Sequence, residues 1–268
     1  MSERRVVIAP SREELTALVA DKFIVRALKT LRRQPRFSVV LTGGTVGIET
    51  LSAIAAHPKA SEVNWDAVDF YWGDERFVPA GDPQRNDEQA RAAFLAPLGI
   101  PESSIHRFPS SDDGDIVEQA QAFSQELCSA EDAWPVFDLA FVGMGPDGHV
   151  LSVFPGHPEA HEGELGIRAV VNSPKPPPQR LTMTLPLINS ATRVWMVVAG
   201  ADKAAAMGLA LADASVPEVP AAGIRGLQST KIFIDHELAV ALPHELLGTD
   251  QFWTAEDERA DYVPKALR

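Results

Sequence analysis

The stretch FDLAFVGMGPDGHVLSVFPGHP, Phe137 to Pro158, decides how this chain is read. Val136 to Val142 is apolar apart from Asp138, the pattern of a buried parallel strand. The glycines that follow, Gly143, Gly145 and Gly148, spell the G-x-G-x-x-G of dinucleotide-binding turns. That fingerprint needs slim residues opening a long helix and an acid about 20 residues further on to hold the ribose. Here Pro146, Asp147 and His149 occupy the turn, and VFPGHP stops any helix within a few residues. A turn that carries an acid and an imidazole suits proton chemistry better than pyrophosphate, so NAD is not the expected ligand.

The same rhythm of strand and helix extends in both directions. RVVIA (Arg5 to Ala9) precedes a helix whose Ser11 and Glu14 fit a capping box, with Leu15, Leu18, Val19, Lys22, Phe23, Arg26 and Ala27 at helical spacing. FSVVL (Phe37 to Leu41) leads through TGGTVG into IETLSAIAAH, and VDFYW (Val68 to Trp72) ends at GDER. RVWMVV (Arg193 to Val198) ends at AGADK and a helix, and KIFID (Lys231 to Asp235) comes last. This alternation predicts an α/β fold, a Rossmann-like, mostly parallel sheet flanked by helices on both faces. Ligands in such sheets bind beyond the carboxyl ends of the strands. The prolines of NSPKPPPQR (Asn172 to Arg180) mark either a stiff extended loop or a boundary. With no fixed-period repeat and no low-complexity linker, a single domain over 1–268 is expected.

Bulk properties narrow the function. A composition with 45% hydrophobic and 23% charged residues is that of a globular protein with no disordered tract. Cys128 is the only cysteine, which rules out an internal disulfide and disfavours a thiolate metal site. The apolar run before Pro10 is too short for a signal peptide, and no run reaches membrane-spanning length, so the cytoplasm is the expected location. A net charge of -13 argues against nucleic acid as a partner. It leaves room for a small anion, because salt screens surface charge over about 8 Å while two or three cations within a pocket act at contact.

Several segments fit such a pocket. Thr42, Gly43, Gly44 and Thr45 follow a strand and open a helix, so their backbone N–H groups form a phosphate cradle or, in the plainer reading, a capped glycine turn. Ile48 and Glu49 stand where a nucleotide-binding loop would need lysine, which disfavours a nucleoside triphosphate. Asp74, Glu75 and Arg76 end a buried strand; a structural ion pair and an active site explain them equally well. His149 is the best general base, presented by a glycine-rich turn, with Asp147 placed to orient it or a substrate hydroxyl. His57, His106, His157 and His161 are read as structural. Arg180 and Lys203 are surface cations or the cationic wall of the pocket.

Taken together, LTGGTVG, WGDERFVP, Asn86, GMGPDGH, RLTMTLPLIN and AGADKA make the chain resemble the 6-phosphogluconolactonase family, over most of its length and in the family's order. The resemblance implies the fold shared with glucosamine-6-phosphate isomerases and hydrolysis of 6-phospho-D-glucono-1,5-lactone, without metal or cofactor, in the oxidative pentose phosphate pathway. It implies His149 as the base, Asp74 and Asp147 as acids that position the histidine, the water or sugar hydroxyls, and Arg76 at the oxyanion or ring. Thr42, Gly43, Gly44, Thr45, Arg180 and Lys203 would grip the 6-phosphate. The expected partner is therefore a small sugar-phosphate lactone, and the expected state a monomer or at most a weak homodimer. The chain departs from the family pattern at Val150 and Val153, and at Arg85, which stands in place of serine before Asn86. Two other activities share the fold: an amino-sugar-phosphate isomerase or deaminase, which usually carries Tyr where this chain has Arg76, and a sugar-phosphate sensor, which usually carries a DNA-binding head for which Met1 to Pro10 leaves no room.

Overall fold

The computed structural model describes residues 3–128 and 133–247. Its strands are β1 (Glu3–Ala9), β2 (Phe37–Leu41), β3 (Val68–Trp72), β4 (Asp74–Arg76), β5 (Leu139–Val142), β6 (Ile167–Val170), β7 (Arg180–Met183), β8 (Arg193–Val198) and β9 (Ser229–Asp235). Its α-helices are α1 (Arg12–Leu31), α2 (Thr45–Ala55), α3 (Asn86–Ala90), α4 (Ile116–Leu127), α5 (Leu185–Asn189), α6 (Ala204–Leu211) and α7 (His236–Val240). Six strands form one sheet in the order β1-β9-β8-β5-β2-β3, and every neighbouring pair is parallel.

The order fixes where a ligand can sit. From β2 the chain crosses through α2 to β3 on one side, whereas from β5 it works back through β8 to β9 on the other. Right-handed crossovers running in opposite directions place their helices on opposite faces and leave a crevice between β2 and β5. The sheet is held by apolar side chains on its α1 face: Phe23 lies 5.9 Å from Phe37 and 5.7 Å from Phe141, and Trp65 meets Phe94 edge-on at 5.5 Å. Each such ring is worth about 1.5–3 kcal/mol of burial. Helix α1 starts as expected, with the Ser11 hydroxyl accepting from the Glu14 N–H at 3.1 Å. Strand β5 is shorter than its apolar run, because the Asp138 carboxylate accepts from the Ser38 N–H at 2.9 Å and Val136 faces solvent.

A second sheet is the feature the apolar pattern does not announce. β4, β7 and β6 pair antiparallel in that order, with Asp74 opposite Thr182, Glu75 opposite Leu181 and Arg76 opposite Arg180. Gly73 fastens it to the large sheet: its N–H donates to Leu41 at 3.0 Å and its carbonyl accepts from Met183 at 2.8 Å. Arg180 thus opens an antiparallel strand of the second sheet and not a strand of the parallel one. NSPKPPPQR forms the connection between β6 and β7, two strands of one sheet.

Candidate active site

The crevice between β2 and β5 is a cleft of about 560 Å³. Of the residues singled out in the sequence, Thr42, Gly43, Gly44, Thr45, Asp74, Arg76, His149, Arg180 and Lys203 all line it. Asp147 does not; it stands behind the histidine.

The glycine loop follows from simple local chemistry. Gly44, at φ +79°, is the N-cap of α2, and no side chain among the described residues caps the helix. The first turn of α2 carries no acidic residue, so its N–H groups and dipole face the cleft unopposed. Gly43 must lack a side chain, because a Cβ there would stand 1.9 Å from Asn86 Oδ1. Thr42 is buried and its hydroxyl accepts from the Gly143 N–H at 3.3 Å, tying the two glycine segments together. Thr42 is thus a brace at the cleft wall, with Gly44 and Thr45 exposed beyond it.

His149 is held by its own turn. Its Nδ1 lies 2.5 Å from Asp147 Oδ1, and Phe154 stacks on the ring at 4.7 Å. Two bare acceptors cannot approach so closely, so a proton sits between Nδ1 and the carboxylate and the Nε2 lone pair is free. No protein group among the described residues bonds Nε2. Burial pushes the imidazole below its ordinary value against the pull of Asp147, which keeps it in the basic form. Burial opposes ionisation of Asp147 as well, but its bonds to His149 and Lys175 outweigh that and bring it down to about 2.

The antiparallel sheet supplies the charges opposite. Asp74 Oδ2 accepts from the Ser152 hydroxyl at 2.6 Å. Arg76 donates to the Gln84 carbonyl at 2.5 Å, while its buried Nε has no hydrogen-bond partner among the described residues. Arg180 donates to the carbonyls of Pro177 at 3.2 Å, Lys175 at 3.2 Å and Pro176 at 3.0 Å, and burial lowers its pKa. Like charges directly across a strand pair destabilise a sheet. Arg76 opposite Arg180 on a cleft wall is therefore an arrangement that gains when an anion arrives. Lys203 reaches the cleft from the end of β8, paired with Asp202.

Glu75 is structural. Its carboxylate accepts from the N–H groups of Arg76 at 2.7 Å, Asn86 at 2.6 Å and Asp87 at 2.9 Å, and burial together with Asp87 pushes it up to about 8. Arg85, one of the departures from the family pattern, pairs with Asp87 at 2.9 Å beneath it. Sequence reasoning passed over Ser152 and Lys175. Lys175 Nζ lies 3.1 Å from Asp147 Oδ1, across 28 residues, and its place in a proline run gave no hint of that reach.

A Rossmann-like α/β fold with a cationic cleft at its switch point defines a class of proteins that act on small anionic substrates. Within that class, residues 10–233 match the family Glucosamine-6-phosphate isomerases/6-phosphogluconolactonase, and the chain belongs to that family. It is similar to the 6-phosphogluconolactonase of Streptomyces coelicolor, 39% identical over 90% of this chain and 96% of that one. It is also similar to that of Mycobacterium tuberculosis, 38% identical over 89% and 98%. Among solved structures, 6-phosphogluconolactonase from Trypanosoma brucei aligns with a TM-score of 0.78 and 26% identity, covering 91% of this chain and all of the other.

Proposed function

We propose that this protein is a 6-phosphogluconolactonase, hydrolysing 6-phospho-D-glucono-1,5-lactone to 6-phosphogluconate in the oxidative pentose phosphate pathway. The observation that carries the reading is the His149 ring, protonated at Nδ1 by its bond to Asp147 and free at Nε2, facing a cleft with two opposed arginines. In this mechanism Nε2 takes a proton from water as its oxygen bonds to the lactone C1. The carbonyl oxygen becomes an oxyanion stabilised by Arg76. Collapse breaks the bond from C1 to the ring oxygen, which leaves with the proton from the imidazolium, and the acid product ionises. Asp74, held by Ser152, orients a sugar hydroxyl. The glycine loop, Arg180 and Lys203 hold the phosphate, whose binding fixes the carbonyl against the base.

The test follows fresh lactone at neutral pH with 6-phosphogluconate dehydrogenase as the coupling enzyme, after subtraction of spontaneous hydrolysis. His149→Ala is expected to lose about 10²–10⁴-fold in kcat/KM, the range for a general base. A variant as fast as wild type ends the assignment of His149, and a wild type no faster than buffer ends the lactonase reading.

A further inference from the structure

Asp147 and His149 share a third partner. Lys175 Nζ lies 3.1 Å from Asp147 Oδ1 and 3.1 Å from His149 Nδ1. It projects from the β6–β7 loop, whose carbonyls at 175, 176 and 177 hold the Arg180 guanidinium. One loop therefore touches both the base and an arginine of the anion wall.

We propose that Lys175 is a positioning residue for His149: paired with the Asp147 oxygen that holds the Nδ1 proton, it favours the neutral ring and helps to set the acid limit of activity. The proton positions decide its role. Were Lys175 to donate to Nδ1, that nitrogen would be a bare acceptor 2.5 Å from a carboxylate oxygen, which is repulsive. Lys175 instead donates to Asp147 and lies beside the N–H edge of the ring. An aspartate against an imidazole stabilises the imidazolium and so raises the pH at which the base is set free. A cation at the same oxygen offsets that attraction while the hydrogen bond that fixes the tautomer survives. Among the described residues, the charged groups that act on the ring are Asp147 from its own turn, Lys175 from the β6–β7 loop and Asp74 from β4, with Arg76 and Arg180 lining the same cleft. Burial most of all, and Lys175 after it, oppose protonation of the ring; both carboxylates favour it.

The inference rests on His149 being the base, but its readout does not need the substrate. The His149 ring resonance of the free protein, assigned with His149→Gln, is titrated by NMR in wild type, Lys175→Met, Lys175→Gln and Lys175→Arg. Loss of one cation at about 3 Å in a water-like medium is worth about one pH unit. The midpoint is expected to rise by about that much in the Met and Gln variants and to stay near wild type in the Arg variant. The acid limb of kcat/KM should move by the same amount. Lys175→Gln keeps a donor for Asp147, so the charge is tested even where the apolar variant does not fold. A midpoint that stays put in the Met and Gln variants, whatever their activity, overturns the proposal and leaves Lys175 a brace for its loop. A shifted midpoint in a protein that does not hydrolyse the lactone upholds Lys175 and defeats the lactonase reading.

Discussion

The two walls of the cleft are built on opposite principles. The wall from the parallel sheet, Thr42 to Thr45 and Gly143 to His149, works by what it leaves out. Glycines let main-chain N–H groups and one imidazole reach the cleft, and the helix end that faces it has no capping side chain. The wall from the antiparallel sheet works by what it contains: Asp74, Arg76 and Arg180 on paired strands, braced by a buried carboxylate and by loop carbonyls. A wall made of omissions fails when atoms are added. A wall made of charges fails when they are removed.

That contrast gives three tests beyond the two above. The largest effect is expected on the charged wall, where Arg180→Met should raise KM for the lactone about 10–100-fold with a smaller change in kcat. That range corresponds to one charge-assisted hydrogen bond of about 1.5–3 kcal/mol lost from ground state and transition state alike. Steady-state kinetics decides it, and an equal fall in kcat and kcat/KM would move Arg180 from holding the phosphate to the reacting carbonyl.

On the glycine wall, Gly43→Ala puts a methyl 1.9 Å from Asn86 Oδ1 and 2.4 Å from its Cγ. Asn86 is buried, its amide donating to the Asp74 carbonyl at 2.9 Å, so it cannot swing aside freely. Overpacking of this kind costs about 1–3 kcal/mol. The expected result is a loss of about that much in urea unfolding together with about tenfold in kcat/KM. Unchanged stability and kinetics would show that the loop is looser than its geometry implies.

The smallest effect on activity is expected from Glu75→Gln, which acts behind the charged wall. Gln would turn an NH₂ toward the Asp87 N–H, which a carboxyl oxygen accepts whether or not the acid holds its proton, at a cost of about 1–3 kcal/mol and a few degrees in Tm. Glu75 is pushed from its ordinary 4.5 to about 8, so the native state binds its proton more tightly than the unfolded chain. This contribution to stability is complete below about pH 4.5 and is lost as the pH rises to about 8. The stability of the Gln variant should therefore vary less with pH over that window than wild type, while kcat changes little. A parallel pH profile in the two proteins would remove Glu75 from this role.

The parallel half of the molecule was legible because its signals are local. Buried strands such as Leu139–Val142 are continuously apolar, and each is followed at once by its loop, so TGGT and GPDGH could be placed at the ligand edge from the sequence alone. The resemblance to a family named the same residues, and the structure brings nine of the ten to one cleft, with Asp147 behind His149. β4 was not legible, since three charged residues carry no period and look alike as an ion pair or as a strand. Asp74, Glu75 and Arg76 divide between the two: Glu75 is the structural group, its neighbours the wall.

The sequence by itself determined the strand-helix alternation, the glycine turns and the histidine presented on one of them, because each is set by neighbours within a few residues. Only the tertiary structure decided that Arg76 faces Arg180 across 104 residues of chain and that Lys175 reaches the Asp147–His149 pair. Strand register and the reach of a long side chain depend on how distant segments pack, and no short-range pattern encodes that.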